Sequence, residues 1–426
     1  MKVSNIQRNI FMGILFLITF VVVLRKPAVY FPDSTGYLNM MINRTPGYSI
    51  FLKLIKSIFG SNFDTALLFL QTAIGCFSVY FFIRKTQSIQ LLNNFYSCCF
   101  SVVLLLPYLV GLCIGNNVLS EAISYALYLI VIGHYIAFFV SKNKKELLCA
   151  LPILGILLIT RYQFIYLIPV AFLMIFWVYL KEKQWKQYRL SILLLLCLPF
   201  ITSLVDRTYH KVVHNHFVST PWKGMNIITA AFYVSDTEDE AIFDDVKEKQ
   251  FFQNTYQDLA QKKLNIHHLE RRINRDKTSV YIQEFASITM GPIFKNGNAI
   301  FDQSLSEDEK YIALEKMTSN MYAPLILDNF SEWTKLYIGN LFHGFRGTTF
   351  VFLYLCVLLS SFIGVLKHNT KTYKILLLIS TLLISNLVIV SIGMHTIIRF
   401  TFYNDWVLFL TVFILLNSLN KKMYES

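Results

Sequence analysis

Acidic residues are scarce over most of this chain, and their positions single out a few side chains that could do chemistry. Of the 26 Asp and Glu residues, only eight lie outside residues 207–346, and three of those lie among lysines. The other five lie at or near the ends of apolar runs: Asp33, Asp64, Glu121, Asp206 and Asp405. A carboxylate close to hydrocarbon is costly, so it often marks a functional site. The alternative for each is an acid that is simply hydrated at the boundary.

Asp33 and Arg44 stand out within the stretch FPDSTGYLNMMINRTPGYSIF, residues 31–51. The carboxylate can take a proton from a hydroxyl, and the guanidinium is suited to bidentate contacts with phosphate. Asp33 also follows a proline and precedes a short helical pattern, so a plain N-cap role is the alternative. Pro46 and Gly47 predict a turn between two amphipathic segments, 34–43 and 48–59.

Three further charged residues lie near predicted outer ends of apolar runs. Glu121 begins such a run, where the helix dipole alone would favour an acid. Arg161 and Arg399 lie at outer turns, where arginine can also extend to the membrane interface without a specific role. Cations in these positions can stabilise a departing phosphate. If they serve one site, both arginines, Glu121, Asp33 and Arg44 should surround a single outward cavity.

One group that contains histidines and one isolated histidine offer weaker signals. Asp206, His210 and His214 are spaced by four residues, so on a continuous helix they would share a face and could hold a metal. Ordinary polar residues at the membrane interface explain the same pattern. His134 lies within a predicted span, where a packed or hydrogen-bonded histidine is the alternative to a proton relay.

The elements that must position these residues are transmembrane helices. The chain is 55% hydrophobic with a mean hydropathy of +0.49, and apolar runs of membrane-spanning length recur along it. We predict an all-α polytopic membrane protein with about ten spans. These are 8–24, 64–83, 95–113, 118–140, 147–160, 164–180, 190–206, 348–366, 373–393 and 402–420.

Three regions follow from these spans. Residues 1–206 form an N-terminal membrane module of about seven spans, with a first outer loop at 25–63. Residues 207–346 form an outward-facing soluble insert, and residues 347–426 carry about three further spans. The insert holds 16 basic and 18 acidic residues. It is predicted to be mostly helical and to end in an amphipathic helix on the membrane surface.

The basic residues predict the orientation of the chain. Alternate connections, counted from a cytoplasmic N-terminus, carry 16 Lys and Arg residues, whereas the short connections on the other side carry seven. This bias predicts that both termini are cytoplasmic. It also attributes the net charge of +13 to topology, so we expect no nucleic-acid partner. The seven cysteines lie in or beside apolar runs, which argues against a disulfide framework and a zinc-thiolate site.

Taken together, these features resemble the GT-C superfamily of membrane glycosyltransferases, in particular bacterial protein mannosyltransferase and aminoarabinose transferase families. The resemblance rests on Asp33 just after the first span and on Arg44-Thr-Pro-Gly-Tyr48, which is similar to an Arg-x-Pro-Gly-Tyr-Pro segment. Ser49 stands in place of the last proline. Ser120-Glu121, Thr160-Arg161 and the large outer loop add to it.

The resemblance implies an enzyme of the bacterial cytoplasmic membrane that takes a sugar from a polyprenyl-phosphate donor. Asp33 would be the general base on an acceptor hydroxyl of a lipid, glycan or protein, usually with inversion. Residues that would contact the lipid phosphate or sugar are Arg44, Tyr48, Glu121, Arg161 and Arg399. Some relatives bind a divalent metal through first-loop carboxylates. Here Arg44 stands where some of them carry an acid, so the cofactor is left open.

Two other classes remain at this point. A polysaccharide polymerase or O-antigen ligase also uses lipid-linked glycan and a large outer loop, but it would centre on outer-loop arginines rather than on Asp33. A carrier or flippase for lipid-linked sugars would need charged or broken helices at mid-membrane, and the predicted spans contain almost none. No Walker loop, GxGxxG, GxSxG or HExxH motif occurs, which disfavours nucleotide-driven transport and soluble hydrolases.

Overall fold

The computed structural model describes residues 3–183, 185–269 and 276–425, and its regular secondary structure is helical throughout that part of the chain. An isolated bridge joins Val29 to Asn117. The nineteen α-helices are α1 Asn5–Leu24, α2 Pro32–Leu38, α3 Pro46–Phe59, α4 Phe63–Ser88, α5 Asn94–Leu109, α6 Glu121–Ser141, α7 Lys144–Thr160, α8 Leu167–Glu182, α9 Arg189–His214, α10 Lys223–Val234, α11 Val246–Gln261, α12 Lys277–Ile288, α13 Phe294–Ile300, α14 Glu307–Asp328, α15 Phe330–Gly344, α16 Thr348–Lys367, α17 Lys371–Gly393, α18 Ile398–Thr401 and α19 Trp406–Glu425.

The predicted all-α membrane fold is confirmed in its class. Within the described residues, eight helical stretches are long and apolar enough to cross a membrane. Each of the ten predicted spans falls on a helix, but α5 has 16 residues and α7 has 17, at or below the lower end of what a full crossing requires. The chain is therefore a multi-pass membrane protein, and the count of ten stays a prediction. Helix α9 also runs to His214, beyond the predicted end at 206.

Helix α6 is the centre of the bundle because its sequence is apolar on every side. Of its most apolar window, 83% is buried, compared with 28% for α1, α9 and α16. A helix that is hydrophobic all round belongs in the interior, whereas a helix with a large exposed apolar face here meets lipid. The first residue of this central helix is Glu121, so the helix carries a carboxylate into the protein interior at one end of the bundle.

The insert forms a second hydrophobic core of its own, as its predicted helical content requires. Helices α10 to α15 bury aromatic and aliphatic side chains against one another, among them Phe232, Phe251 and Tyr281. The last of these helices, α15, packs on α17. Its buried Asn340 accepts a hydrogen bond at Oδ1 from the backbone N–H of Thr396, which follows α17, at 3.0 Å. The insert is thereby fixed to the segment that leads into α18.

Candidate functional site

Five charged side chains form a continuous chain of alternating sign at one end of the bundle. Arg44 Nη2 lies 2.8 Å from Asp33 Oδ1, and Arg399 Nη1 lies 2.6 Å from Asp33 Oδ2. Arg399 Nε also contacts Glu121 Oε1, to which Arg161 Nη1 donates at 2.8 Å. The five residues come from five separate segments of the sequence. The structure therefore brings together all five charged residues that the sequence analysis proposed for one site.

The two carboxylates of the cluster differ in solvent exposure. The Glu121 side chain is 3% exposed, whereas the Asp33 side chain is 33% exposed. Two carboxylates and three guanidinium groups leave one positive charge in excess. Buried ion pairs of this kind are costly to assemble unless further hydrogen bonds complete them. The excess positive charge favours an anionic ligand. The accessible carboxylate beside it can accept a hydrogen bond from a hydroxyl.

The first outer loop holds Asp33 in place through the segment before α6. Pro32 is the first residue of α2. Proline is favoured at this position because the N–H that it lacks would have no acceptor within the helix. Ser34 Oγ accepts from the N–H of Phe31 and donates to the carbonyl of Val118 at 2.8 Å. The N-cap of α2 is Phe31, so the alternative that Asp33 is only an N-cap is wrong. Its carboxylate bonds to two arginines instead.

The Arg-Thr-Pro-Gly-Tyr segment is explained residue by residue by its packing on α7. Thr45 Oγ1 donates to the carbonyl of Thr160 at 2.9 Å, and Pro46 begins α3. A Cβ on Gly47 would lie 2.8 Å from Thr160 Cα, closer than a backbone atom allows. The absence of that Cβ lets α3 touch the end of α7. Arg44 is held at this junction, next to the turn that carries Arg161.

Tyr48 lies beneath the cluster and not on its open side. Its side chain is fully buried, and its ring meets Tyr37 edge to face at a centroid distance of 5.1 Å. The Arg44 guanidinium in turn lies over the Tyr37 ring, 5.2 Å from its centroid. The predicted substrate contact of Tyr48 is therefore not what this structure shows, because packing occupies the ring. Tyr48 supports Tyr37, which the sequence analysis did not select.

Aromatic rings also hold the other end of the cluster. Arg161 lies over the rings of Phe400 and Tyr403 at 5.0 and 5.7 Å, and its Nε donates to Gln163 at 2.7 Å. Cation–π contacts stabilise a guanidinium that has left water. These three neighbours were not predicted from the sequence. The run RFTFY at 399–403, an arginine followed by aromatic residues, is the pattern that could have indicated the two aromatic contacts.

The arginines set the protonation state of Asp33. Burial alone would raise the pKa of its carboxyl, but the guanidinium groups of Arg44 and Arg399 outweigh burial and lower the pKa below its ordinary value. The carboxylate is thus ionised throughout the neutral range. Each carboxylate oxygen accepts from one guanidinium, and this pairing favours the ionised form.

The predicted group of Asp206, His210 and His214 does not converge on one point, because His214 turns to a different partner. Asp206 accepts from the N–H and hydroxyl of Thr220, His214 Nδ1 lies 2.8 Å from Asp308, and His210 is buried 3.5 Å from Asp206. Among the described residues, no group of three or more His, Cys, Asp or Glu side chains is arranged to hold a metal ion. The two cluster carboxylates are likewise occupied by arginines. Asp206 and His214 instead join α9 to the insert.

The remaining singled-out residues lie outside the cluster. Asp64 accepts from the hydroxyl of Tyr30, and Asp405 pairs with Arg346 at 3.1 Å. His134 Nδ1 lies 2.7 Å from Glu146, at the opposite end of the bundle. His134 is therefore hydrogen-bonded, as the alternative to a relay required.

The class of protein that this fold defines is an all-helical multi-pass membrane protein with a charged site at one end of its bundle. No family model, no curated protein and no solved structure matches the chain.

We predict that Glu121→Gln strongly destabilises the protein. The amide cannot neutralise Arg161 and Arg399, and breaking a buried ion pair by removing one partner costs about 3–5 kcal/mol. Thermal unfolding of the purified protein in detergent measures the loss. The matched control is Glu332→Gln, which removes an exposed pair with Lys335 and should cost less than about 1 kcal/mol. Equal melting temperatures for the two variants would contradict the structural role of Glu121.

Proposed function

We propose that this protein is an integral-membrane glycosyltransferase of the GT-C type. It moves a sugar from a polyprenyl-phosphate donor to an acceptor hydroxyl, with Asp33 as the general base. The observation that carries the proposal is the ion-pair chain itself. A partly exposed carboxylate lies between two arginines at the end of a membrane bundle, and an excess positive charge lies beside it.

The chemistry of the donor supports this location. A polyprenyl-phosphate sugar cannot leave the bilayer, so its phosphate must be bound at the membrane boundary. Arg44 and Arg399 are 20% and 26% exposed, and Asp33 already serves them as an anionic partner. Arginine forms bidentate contacts with phosphate oxygens. A donor phosphate can therefore replace the carboxylate as the partner of one or both guanidinium groups.

This replacement would also prepare the base. Once a guanidinium has turned to the phosphate, the Asp33 carboxylate loses a cation and gains affinity for a proton. The acceptor O–H gives its proton to Asp33 while its oxygen forms a bond to the anomeric carbon. The bond from that carbon to the phosphate oxygen breaks, and its electron pair stays on the phosphate, where the arginines stabilise the charge. Attack opposite to the leaving group inverts the anomeric centre.

We further propose that the site faces outward from a bacterial cytoplasmic membrane. The basic residues concentrate in the connections at the opposite end of the bundle, as the positive-inside rule expects of the cytoplasmic side. Tyr311 lies on helix α14 of the insert. Burial raises the pKa of its hydroxyl, and the positive charge of Arg44 opposes that rise. This part of the insert is therefore near enough to Arg44 to contribute to acceptor binding.

We predict that Asp33→Asn abolishes sugar transfer. Removing a general base typically lowers the rate by about 10²–10⁴-fold. Membranes from expressing cells are incubated with radiolabelled polyprenyl-phosphate sugars, and transfer to lipid, glycan and protein fractions is measured.

The matched control for this experiment is Asp64→Asn, an acid at the same end of the bundle and outside the cluster, which should transfer as wild type does. Equal transfer by wild type and Asp33→Asn would refute the base assignment. If glycan transfer instead persisted in Asp33→Asn and failed when an arginine of the cluster was replaced, a ligase or polymerase mechanism would be favoured.

We predict that Arg44→Gln moves the acid limb of kcat/KM to higher pH. In the wild type the base is active while Asp33 is ionised, and activity falls as the pH drops through its lowered pKa. Without Arg44 the pKa of Asp33 rises, so the fall begins at a higher pH. A pH series of transfer rates in liposomes measures the limb. An unmoved limb would show that Asp33 is not the titrating group.

A further inference from the structure

A second charged cavity lies at the end of the bundle away from the candidate site. It has a volume of about 360 Å³ and is lined by Asn5, Arg8, Asn9, Arg84, Gln87 and Ser88. These residues come from the start of α1 and the end of α4. The other end of α1 lies near the candidate site. There Asn116, in the segment before α6, donates from Nδ2 to the carbonyl of Val23. The two sites are thus separated by the length of a membrane span.

The cavity has cations and donors but no anionic partner among the described residues. Arg8 is 5% exposed, and its guanidinium donates only to the amide oxygens of Asn5, Asn9 and Asn94. Arg84 lines the same cavity and makes no ion pair within the described part of the chain. Two guanidinium groups held together without a carboxylate repel each other. An anion between them would remove that cost.

Gln87 gives an independent sign of a missing acceptor. Its Nε2 is buried and has no hydrogen-bond partner among the described residues. Buried donors are rarely left unpaired, because the desolvated group loses about 1–3 kcal/mol. A bound anion between the two arginines would satisfy this donor once the Gln87 side chain turns toward the cavity. The cavity therefore has the composition of a phosphate site.

The surroundings favour a phospholipid as the source of that phosphate. The outward face of α1 beside the cavity is apolar and exposed, with Ile6 and Ile10 at 72% and 57% exposure. Ile14 and Leu17 continue this face along the helix. Acyl chains can lie on these side chains while the headgroup enters the cavity. Basic pockets between transmembrane helices on the cytoplasmic side are known to bind anionic headgroups.

We propose that the cavity between α1 and α4 binds the phosphate headgroup of an anionic phospholipid of the inner leaflet. Arg8, Arg84 and the Gln87 amide hold the phosphate, and the exposed face of α1 holds the acyl chains. The site is independent of the proposed transfer reaction, because it lies at the other end of the bundle.

Native mass spectrometry of the detergent-purified protein tests this site. The protein is mixed with phosphatidylglycerol or phosphatidylcholine, and bound lipid is counted. We expect the wild type to prefer phosphatidylglycerol and Arg84→Gln to bind it about fivefold more weakly, since each basic residue near a membrane surface contributes about 1 kcal/mol. Arg84 is exposed, so the variant should fold, and its melting temperature verifies this.

The matched control is Lys144→Gln, which removes an exposed positive charge at the same end of the bundle but outside the cavity. It should bind phosphatidylglycerol as the wild type does. Equal retention by wild type and Arg84→Gln would overturn the proposal. So would displacement of phosphatidylglycerol by millimolar inorganic phosphate, which would make the cavity a site for the free ion.

Discussion

The end of the bundle that carries the candidate site depends on one buried carboxylate. Glu121 begins the most enclosed helix of the bundle and pairs with Arg161 and Arg399, which lie 40 and 278 residues away in sequence. Without it, two guanidinium groups would face each other in a medium that screens charge poorly. Its charge therefore fixes the end of α7 and the start of α18 to α6. Arg399 then reaches Asp33 through Nη1.

This arrangement links stability to chemistry. The arginines that hold Asp33 ionised also lower its affinity for a proton, so the resting carboxylate is a weak base. In the proposed reaction, a donor phosphate would compete for the same guanidinium groups and release the carboxylate. Protection of the base by its own phosphate-binding residues would keep the site inactive between turnovers. That property follows from the contacts of three residues: Asp33, Arg44 and Arg399.

The sequence predicted the helices well and the contacts only in part. Apolar runs located each described helix that is long and apolar enough to cross a membrane, because lipid exposure leaves a strong hydrophobic signal. The scarcity of acids outside the insert drew attention to Asp33 and Glu121. The pairing order could not be predicted, because Asp33 and Arg399 are separated by 366 residues. The burial of Tyr48 beside Tyr37 could not be predicted, since a motif shows which residues are present but not which way they face. The ends of α9 and the partners of His214 likewise depend on how the insert docks.

Photo-crosslinking with a diazirine-bearing polyprenyl phosphate tests whether the ion-pair chain binds a lipid phosphate. The purified protein in lipid nanodiscs is irradiated with the probe, and labelled peptides are identified by mass spectrometry. The account predicts labels within residues 31–48 and 397–405 that unlabelled polyprenyl phosphate displaces and that Arg399→Gln reduces. Labels confined to the opposite end of the bundle, or unchanged in Arg399→Gln, would contradict a lipid-phosphate site at the ion-pair chain.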